Sequence, residues 1–181
     1  ERVQRISLAE GREESRLPSF TEEEKEVLNG AIDFYSLQMY TSRLFSAVPE
    51  DSTEYSELKE KVQDMIEKNK QSPRSELTDL IQELAYWFRP GWYGDIGAWS
   101  AVDLEWQSAE SSWLQHSPWG LRRMLNWVHL RFPNSGGIWI TENGWSDTAD
   151  KTDPQRFMNI YQSFNEILKA IELDGGEVHG T

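Results

Sequence analysis

The feature that most constrains the fold of this chain is the alternation of helix and strand patterns in its last third. A helical pattern over residues 118–132 ends at a turn-forming stretch, 133–137. Residues 138–141 (I-W-I-T) are an apolar run of strand length, a second helical pattern covers about 153–174, and another strand begins at Val178. Such alternation predicts βαβ units, a parallel sheet and right-handed connections, and therefore an α/β fold.

The first 41 residues contain the same two kinds of pattern. Residues 1–14 predict the end of a helix. Thr21 and Glu24 form a capping box that predicts the start of a short helix, which stops at Asn29-Gly30. Residues 31–41 are apolar and rich in aromatic side chains, which predicts a strand buried on both faces.

The middle of the chain is different in kind. Apolar residues recur at helical intervals among charges between about 48 and 84, and Ser72-Pro73 interrupts them. This pattern predicts a helical hairpin inserted at the surface, with a partner-binding arm as the alternative. Residues 86–95 predict an aromatic loop, and residues 103–117 are irregular.

Charge and composition exclude several classes of function. The formal net charge of −13 disfavours binding to nucleic acids and to anionic membranes. The chain has no cysteine, its three histidines have no metal-ligand spacing, and we expect no metal and no cofactor. No run of about 18 apolar residues is present, and the first residues show no signal-peptide pattern. The nine tryptophans fit either core packing or flat platforms for sugar rings.

Glu142 is the most prominent candidate functional residue. It follows the predicted strand 138–141, and in parallel α/β folds the loops at the carboxyl ends of strands converge on the reactive groups. A carboxylate in this place can be a nucleophile, a general base, a metal ligand or an ordinary acid at the end of a strand. Position alone leaves these four readings open.

The residues around Glu142 carry a resemblance to a known family. Residues 138–144 (I-W-I-T-E-N-G) are similar to the I-x-I-T-E-N-G signature of family 1 glycoside hydrolases. Three further segments resemble stretches of that family and stand in its order: 15–24 (S-R-L-P-S-F-T-E-E-E), 33–41 (D-F-Y-S-L-Q-M-Y-T) and 111–122 (S-S-W-L-Q-H-S-P-W-G-L-R). The resemblance covers residues 1–46 and about 92–181, and it is strongest to animal β-glucosidases.

The resemblance implies a partial (β/α)8 TIM barrel, with about three C-terminal strands and their helices, interrupted by the helical insertion at about 48–84. It also implies hydrolysis of β-glucosides or β-galactosides with retention of configuration, by two carboxyl groups about 5–5.5 Å apart. Glu142 matches the family's nucleophile. Tyr40 matches the tyrosine that orients the nucleophile, and its alternative role is that of a buried strand residue.

Three more residues are predicted to contact substrate. Gln38 stands where the family has an asparagine near the reactive subsite. Asn143 follows the nucleophile, and Trp113 matches a tryptophan that forms a wall for the aglycone, with core packing as its alternative. The expected ligand is a small β-glycoside or an oligosaccharide.

The chain also departs from the family's pattern. The family's acid/base glutamate lies in an Asn-Glu-Pro motif that this sequence lacks, and Asn165-Glu166 falls within a helix. We therefore expect a piece of a larger hydrolase whose N-terminal barrel half is its missing partner. The alternative is a non-catalytic, glycosidase-like interaction protein, which the substitutions Gln38 and Met39 favour. Relatives suggest secretion, although the sequence carries no signal for it.

Overall fold

The computed structural model describes residues 1–71, 91–147 and 152–181, which form two compact units. One unit comprises residues 1–19 and 45–101, and the other comprises residues 20–44 and 102–181. The described helices are α1 (Arg2–Ala9), α2 (Glu22–Leu28), α3 (Thr53–Gln71), α4 (Trp92–Ile96), α5 (Trp119–Arg131) and α6 (Pro154–Glu172). The described strands are β1 (Tyr35–Gln38), β2 (Leu44–Ala47), β3 (Ala98–Ala101), β4 (Ile138–Glu142) and β5 (Val178–Gly180).

The second unit is built on a parallel sheet with the order β1-β4-β5. Helix α5 lies between β1 and β4 in the chain, and α6 connects β4 to β5. The βαβ arrangement predicted over 118–180 is therefore confirmed. Because β4 lies between the other two strands, its last residue has a neighbouring strand on each side.

The core of this unit lies between the sheet and helices α5 and α6. It is composed of buried aliphatic residues from all of these elements: Leu37, Leu121, Leu125, Val128, Ile138, Ile140, Ile167 and Ala170. Burying a large aliphatic side chain contributes roughly 1.5–3 kcal/mol. This packing therefore fixes the β1–β4 pair against the helices.

Among the described residues, helices α5 and α6 cover only one face of the parallel strands. Leu37 is buried, whereas its neighbours Ser36 and Gln38 are exposed. Trp139 is 44% exposed between the buried Ile138 and Ile140. The prediction that residues 31–41 form a strand buried on both faces was wrong, because the described helices pack on only one side and the strand covers only Tyr35–Gln38.

Local signals explain where the helices of this unit begin. Thr21 Oγ1 accepts a hydrogen bond from the Glu24 amide at 3.2 Å, and Glu24 Oε2 accepts one from the Thr21 amide at 2.8 Å. Helix α6 begins at Pro154, and the side chain of Asp153 accepts a bond from the Arg156 amide. Both arrangements satisfy amides that a helix start leaves unpaired.

The turn into β4 depends on Gly136. Its φ is +67°, a conformation that residues with a side chain rarely adopt. A Cβ atom there would overlap the backbone carbonyl of Asp33. A glycine at this position therefore lets β4 start close beside the residues that lead into β1.

The first unit contains elements that sequence patterns did not predict. Strands β2 and β3 pair in a two-stranded sheet, and α4 occupies part of the predicted aromatic loop 86–95. Arg16 binds Asp95 through two hydrogen bonds of 3.0 and 2.8 Å. Arg2 donates to the carbonyls of Gly94 and Asp95, near the end of α4. Short α4 is thus held by side chains distant in sequence.

Helix α3 corresponds to the first helix of the predicted hairpin, and Val62 on it is buried. The predicted second helix, after Ser72-Pro73, lies outside the described residues, and the insertion stays a prediction. Among the helices of the described residues, none combines the length and apolar character needed to cross a bilayer.

A charged clamp after α6 gives the second unit a specific acid sensitivity. Arg122 binds the Asp174 carboxylate through hydrogen bonds of 2.6 and 2.8 Å, and Asn126 adds one of 2.6 Å. These bonds lower the pKa of Asp174 from its ordinary 3.8 to about 2, and the bonds from Arg122 have the largest effect. The stabilisation is therefore complete above about pH 4 and is lost as the pH falls toward 2.

We expect Asp174→Asn to flatten the fall in melting temperature between about pH 4 and pH 2, because the clamp's charged acceptor is gone. Scanning calorimetry of the wild type and the variant across this range measures the difference. In an Arg122→Gln background the same substitution should change the pH profile much less. An equal change in both backgrounds would show that the clamp does not cause the acid sensitivity.

Candidate active site

The candidate site lies at the carboxyl end of the parallel strands β1 and β4. Leu37 pairs with Ile140, and the next residue of β1, Gln38, pairs with Glu142. Thr141 is therefore an extra residue on β4, as in a β-bulge. Glu142 is the last residue of β4, and its side chain is exposed.

The carboxylate of Glu142 is held by Tyr40, which follows β1. The Tyr40 hydroxyl donates a hydrogen bond of 2.6 Å to Glu142 Oε2. This bond is the main reason why the pKa of the Tyr40 phenol is raised. Partial burial and the negative charge of Glu142 raise it further. The phenol is protonated at neutral pH, and the raised pKa extends its role as donor to the carboxylate further into the alkaline range.

Trp113 contacts the ring of Tyr40. The two rings meet edge to face with their centroids 6.0 Å apart, and 51% of the Trp113 surface is exposed. The indole thus packs partly against Tyr40 and presents the remainder to solvent. A half-exposed aromatic surface next to Tyr40 can stack on a sugar or on an aglycone ring.

The segment that carries Tyr40 is anchored to the loop before α5. Thr41 Oγ1 donates to the Gln115 carbonyl at 2.9 Å and accepts from the Gln115 amide at 3.1 Å. The Ser42 amide donates to Ser117 Oγ at 2.8 Å. Since Gln115 and Ser117 are buried, this double attachment fixes the backbone next to Tyr40.

The structure brings the other predicted residues to the same edge. Gln38 is exposed and is the register partner of Glu142. Asn143 is half-buried, and its Nδ2 donates to the Met39 carbonyl at 2.8 Å. All five predicted site residues therefore lie at the carboxyl ends of β1 and β4 or in contact with Tyr40, and their contacts with substrate stay predictions.

Sequence reasoning missed the residues that brace this edge. Ser36 Oγ and Thr141 Oγ1 lie 2.9 Å apart, and Thr141 Oγ1 is 3.4 Å from the Leu37 carbonyl. Gln115 belongs to a stretch that shows no periodic pattern in the sequence. Only the family resemblance pointed to these segments, and it did not indicate which residues touch.

His116 lies beside the site but is not arranged as a metal ligand. Its Nε2 is 2.7 Å from Gln162 Oε1 and its Nδ1 is 3.2 Å from Asn159 Nδ2, while its ring meets Trp145 edge to face. These contacts connect the loop to α6. Within residues 1–71, 91–147 and 152–181, no group of three or more potential ligands is placed to hold a metal ion.

Comparison with known proteins identifies the family of this chain. The model of glycosyl hydrolase family 1 matches residues 4–181. Human cytosolic beta-glucosidase is 32% identical over 171 residues, which cover 93% of this chain and 28% of that protein. Human lactase/phlorizin hydrolase is 31% identical over 174 residues, which cover 94% of this chain and 7% of that protein.

The fold is also similar to that of a solved structure. The structure of aphid myrosinase superposes with a TM-score of 0.68 at 25% identity, covering 99% of this chain and 31% of that one. The chain thus spans less than a third of the length of these three proteins. Its parallel strands and helices are consistent with part of the family's TIM barrel. Because the family model matches nearly every residue, the chain belongs to glycosyl hydrolase family 1.

Proposed function

We propose that this chain supplies the nucleophile of a retaining β-glycosidase and that Glu142 is that nucleophile. The observation that carries the proposal is the 2.6 Å hydrogen bond from Tyr40 to the Glu142 carboxylate, at the carboxyl edge of a parallel sheet. Active sites of β/α barrels lie at this edge. Family membership makes glycoside hydrolysis the chemistry that fits such a carboxylate.

The first step of the proposed reaction uses one oxygen of Glu142. Tyr40 engages Oε2, which leaves Oε1 to attack the anomeric carbon. As the bond from carbon to Oε1 forms, the glycosidic C–O bond breaks, and its electron pair goes to the leaving oxygen. That oxygen takes a proton from a second carboxyl group, which we place in a barrel strand beyond those described for this chain.

The second step reverses the roles. The second carboxylate removes a proton from water, the water oxygen attacks the anomeric carbon, and the ester bond to Glu142 breaks. Two displacements at the same carbon restore the original configuration, so the product is the β-anomer. Tyr40 donates to the same carboxyl group throughout and fixes its plane.

The substrate proposed for this site is a β-glucoside or a closely related β-glycoside. Trp113 offers its exposed indole next to Tyr40, where it can contact the aglycone. Gln38, beside Glu142 in the register, offers an amide to the hydroxyl groups of the sugar.

Covalent trapping tests the proposal. In 2,4-dinitrophenyl 2-deoxy-2-fluoro-β-glucoside the leaving group needs no protonation, and the fluorine slows hydrolysis of the ester. We expect one 2-fluoroglucosyl adduct, located on Glu142 by peptide mass spectrometry.

Glu142→Gln should abolish labelling, and Tyr40→Phe should slow it about tenfold or more, because the carboxylate loses its orienting donor. The exposed Glu105→Gln serves as the matched control and should label like the wild type.

The same labelling experiment is also made on a chimaeric barrel that contains all eight strands. In a chimaeric barrel, this chain replaces the matching segment of human cytosolic beta-glucosidase, which supplies the remaining strands. Labelling of Glu142 in the chain or in the chimaera supports the proposal. An unlabelled Glu142 in a folded chimaera overturns it and favours the non-catalytic binding role.

A further inference from the structure

The residues on either side of Glu142 are attached to β1 by their side chains. Within a regular β-strand, side chains alternate between the two faces. Ile138 and Ile140 point into the core, so strict alternation would send residue 142 there as well. The extra residue Thr141 changes this alternation, and the Glu142 side chain is exposed instead.

An extra residue in a strand leaves part of the regular ladder unpaired, and such an interruption needs other bonds to define it. After Glu142, Asn143 Nδ2 donates to the Met39 carbonyl at 2.8 Å, while the Met39 amide donates to the Glu142 carbonyl at 3.0 Å. The amide of Met39 is therefore bonded to Glu142, and its carbonyl is bonded to Asn143.

Before Glu142, the hydroxyl of Thr141 makes the corresponding attachment. Thr141 Oγ1 donates to the Leu37 carbonyl at 3.4 Å, a long bond. Ser36 Oγ lies 2.9 Å from Thr141 Oγ1, a hydrogen bond in which either hydroxyl can be the donor. Thr141 Oγ1 is thus in contact with two consecutive residues of β1, Ser36 and Leu37, at the point where the register shifts.

We propose that Asn143 and Thr141 are positioning residues that fix the direction of the Glu142 carboxylate, with Ser36 supporting Thr141. The inference rests on the proposed function, because direction matters only if Glu142 reacts. A purely structural role would make these side chains stabilise the sheet without affecting the Tyr40–Glu142 bond. The positions of the bonds argue otherwise, since they flank the one residue that departs from the alternation.

The size of the effect follows from the geometry of attack. A displacement of about 1 Å in a reacting group costs up to about a hundredfold in rate. We therefore expect Asn143→Ala and Thr141→Val to slow trapping of Glu142 by ten- to a hundredfold. The loss should lie in the rate constant of labelling rather than in the concentration of 2-fluoroglucoside that gives half-maximal labelling. Thr141→Ser keeps the hydroxyl and should restore most of the rate.

A second readout does not depend on catalysis. Tyr40 titrates above its ordinary range because it donates to Glu142. If Asn143→Ala or Thr141→Val releases the carboxylate, the pKa of Tyr40 should fall toward about 10. Carbon-13 NMR of proteins labelled at tyrosine Cζ follows this titration, and Tyr40→Phe identifies the resonance. The exposed Asn134→Ala and Thr53→Val serve as matched controls and should change neither readout.

The two readouts separate the possible failures. If Asn143→Ala and Thr141→Val lower the melting temperature but leave the Tyr40 titration and the labelling rate unchanged, the positioning role is overturned. If Glu142 of the wild type is never labelled, the proposed function fails, and the Tyr40 titration still decides whether these residues hold the carboxylate.

Discussion

Replacing Glu142 by alanine is expected to lower hydrolysis of 2,4-dinitrophenyl β-glucoside in the chimaeric barrel by on the order of ten-thousandfold. The substitution removes the attacking oxygen, and the Tyr40 hydroxyl loses its acceptor. Because this substrate has a good leaving group, a defect in proton donation does not mask the loss. The rate constants at saturating substrate, measured for wild type and variant, give the ratio directly.

The same variant makes a prediction about stereochemistry. Removing the carboxylate leaves space in which azide can approach the face of the sugar that Glu142 attacked. We expect added azide to restore part of the rate and to yield the α-glucosyl azide, because a single displacement inverts the configuration. NMR of the product identifies the anomer. A β-azide, or full activity without azide, would show that Glu142 is not the nucleophile.

The matched control for this experiment is Glu105→Ala. Glu105 is an exposed glutamate whose described hydrogen bond is made by its backbone amide, so its carboxylate can be removed without disturbing the site. It should retain wild-type hydrolysis and show no response to azide. A comparable loss in the control would mean that the assay reports damage to the fold.

Leu125→Ala is expected to lower the free energy of unfolding by about 2–5 kcal/mol. Leu125 lies on α5, has no exposed surface, and packs in the cluster that supports β1 and β4. Truncating it removes buried apolar contacts and leaves a cavity behind the strands that carry the site. Urea unfolding of the chain, followed by circular dichroism, measures the change. In the chimaera, faster hydrogen exchange of the β4 amides reports the same loss.

Leu130 on the same helix provides the control. It has the same side chain but is 78% exposed, so Leu130→Ala should change the free energy of unfolding by less than about 0.5 kcal/mol. Equal effects of the two substitutions would mean that α5 does not pack on the sheet through Leu125. The contrast therefore tests the orientation of the helix that underlies the site.

Local signals in the sequence were sufficient to predict several elements. The capping box at Thr21 acts over three residues and predicts the start of α2, which begins at Glu22. The helical spacing of apolar residues over about 153–174 predicts α6, which covers Pro154–Glu172. Strands β2 and β3 carry no alternation or turn signal of their own. Their pairing depends on contacts between segments far apart in the chain, which a pattern over a short window does not contain.

The same distinction applies to the site. Glu142 could be located from its motif because the residues around it are consecutive. The bond between Thr41 and Gln115 joins residues 74 positions apart, and that between Ser36 and Thr141 joins residues 105 apart. Serine, threonine and glutamine are common at exposed positions, so nothing in their identity marks them as partners. The fold alone brings them together.

The parallel pairing of β1 with β4 brings together two residues, Tyr40 and Glu142, that are 102 positions apart. The entropic cost of closing a flexible loop grows only with the logarithm of its length, and doubling that length adds about 0.6 kcal/mol. A longer connection between β1 and β4 therefore adds little to the entropic cost of bringing Tyr40 and Glu142 together. The contact between the donor and its carboxylate thus tolerates extra chain length between the two strands.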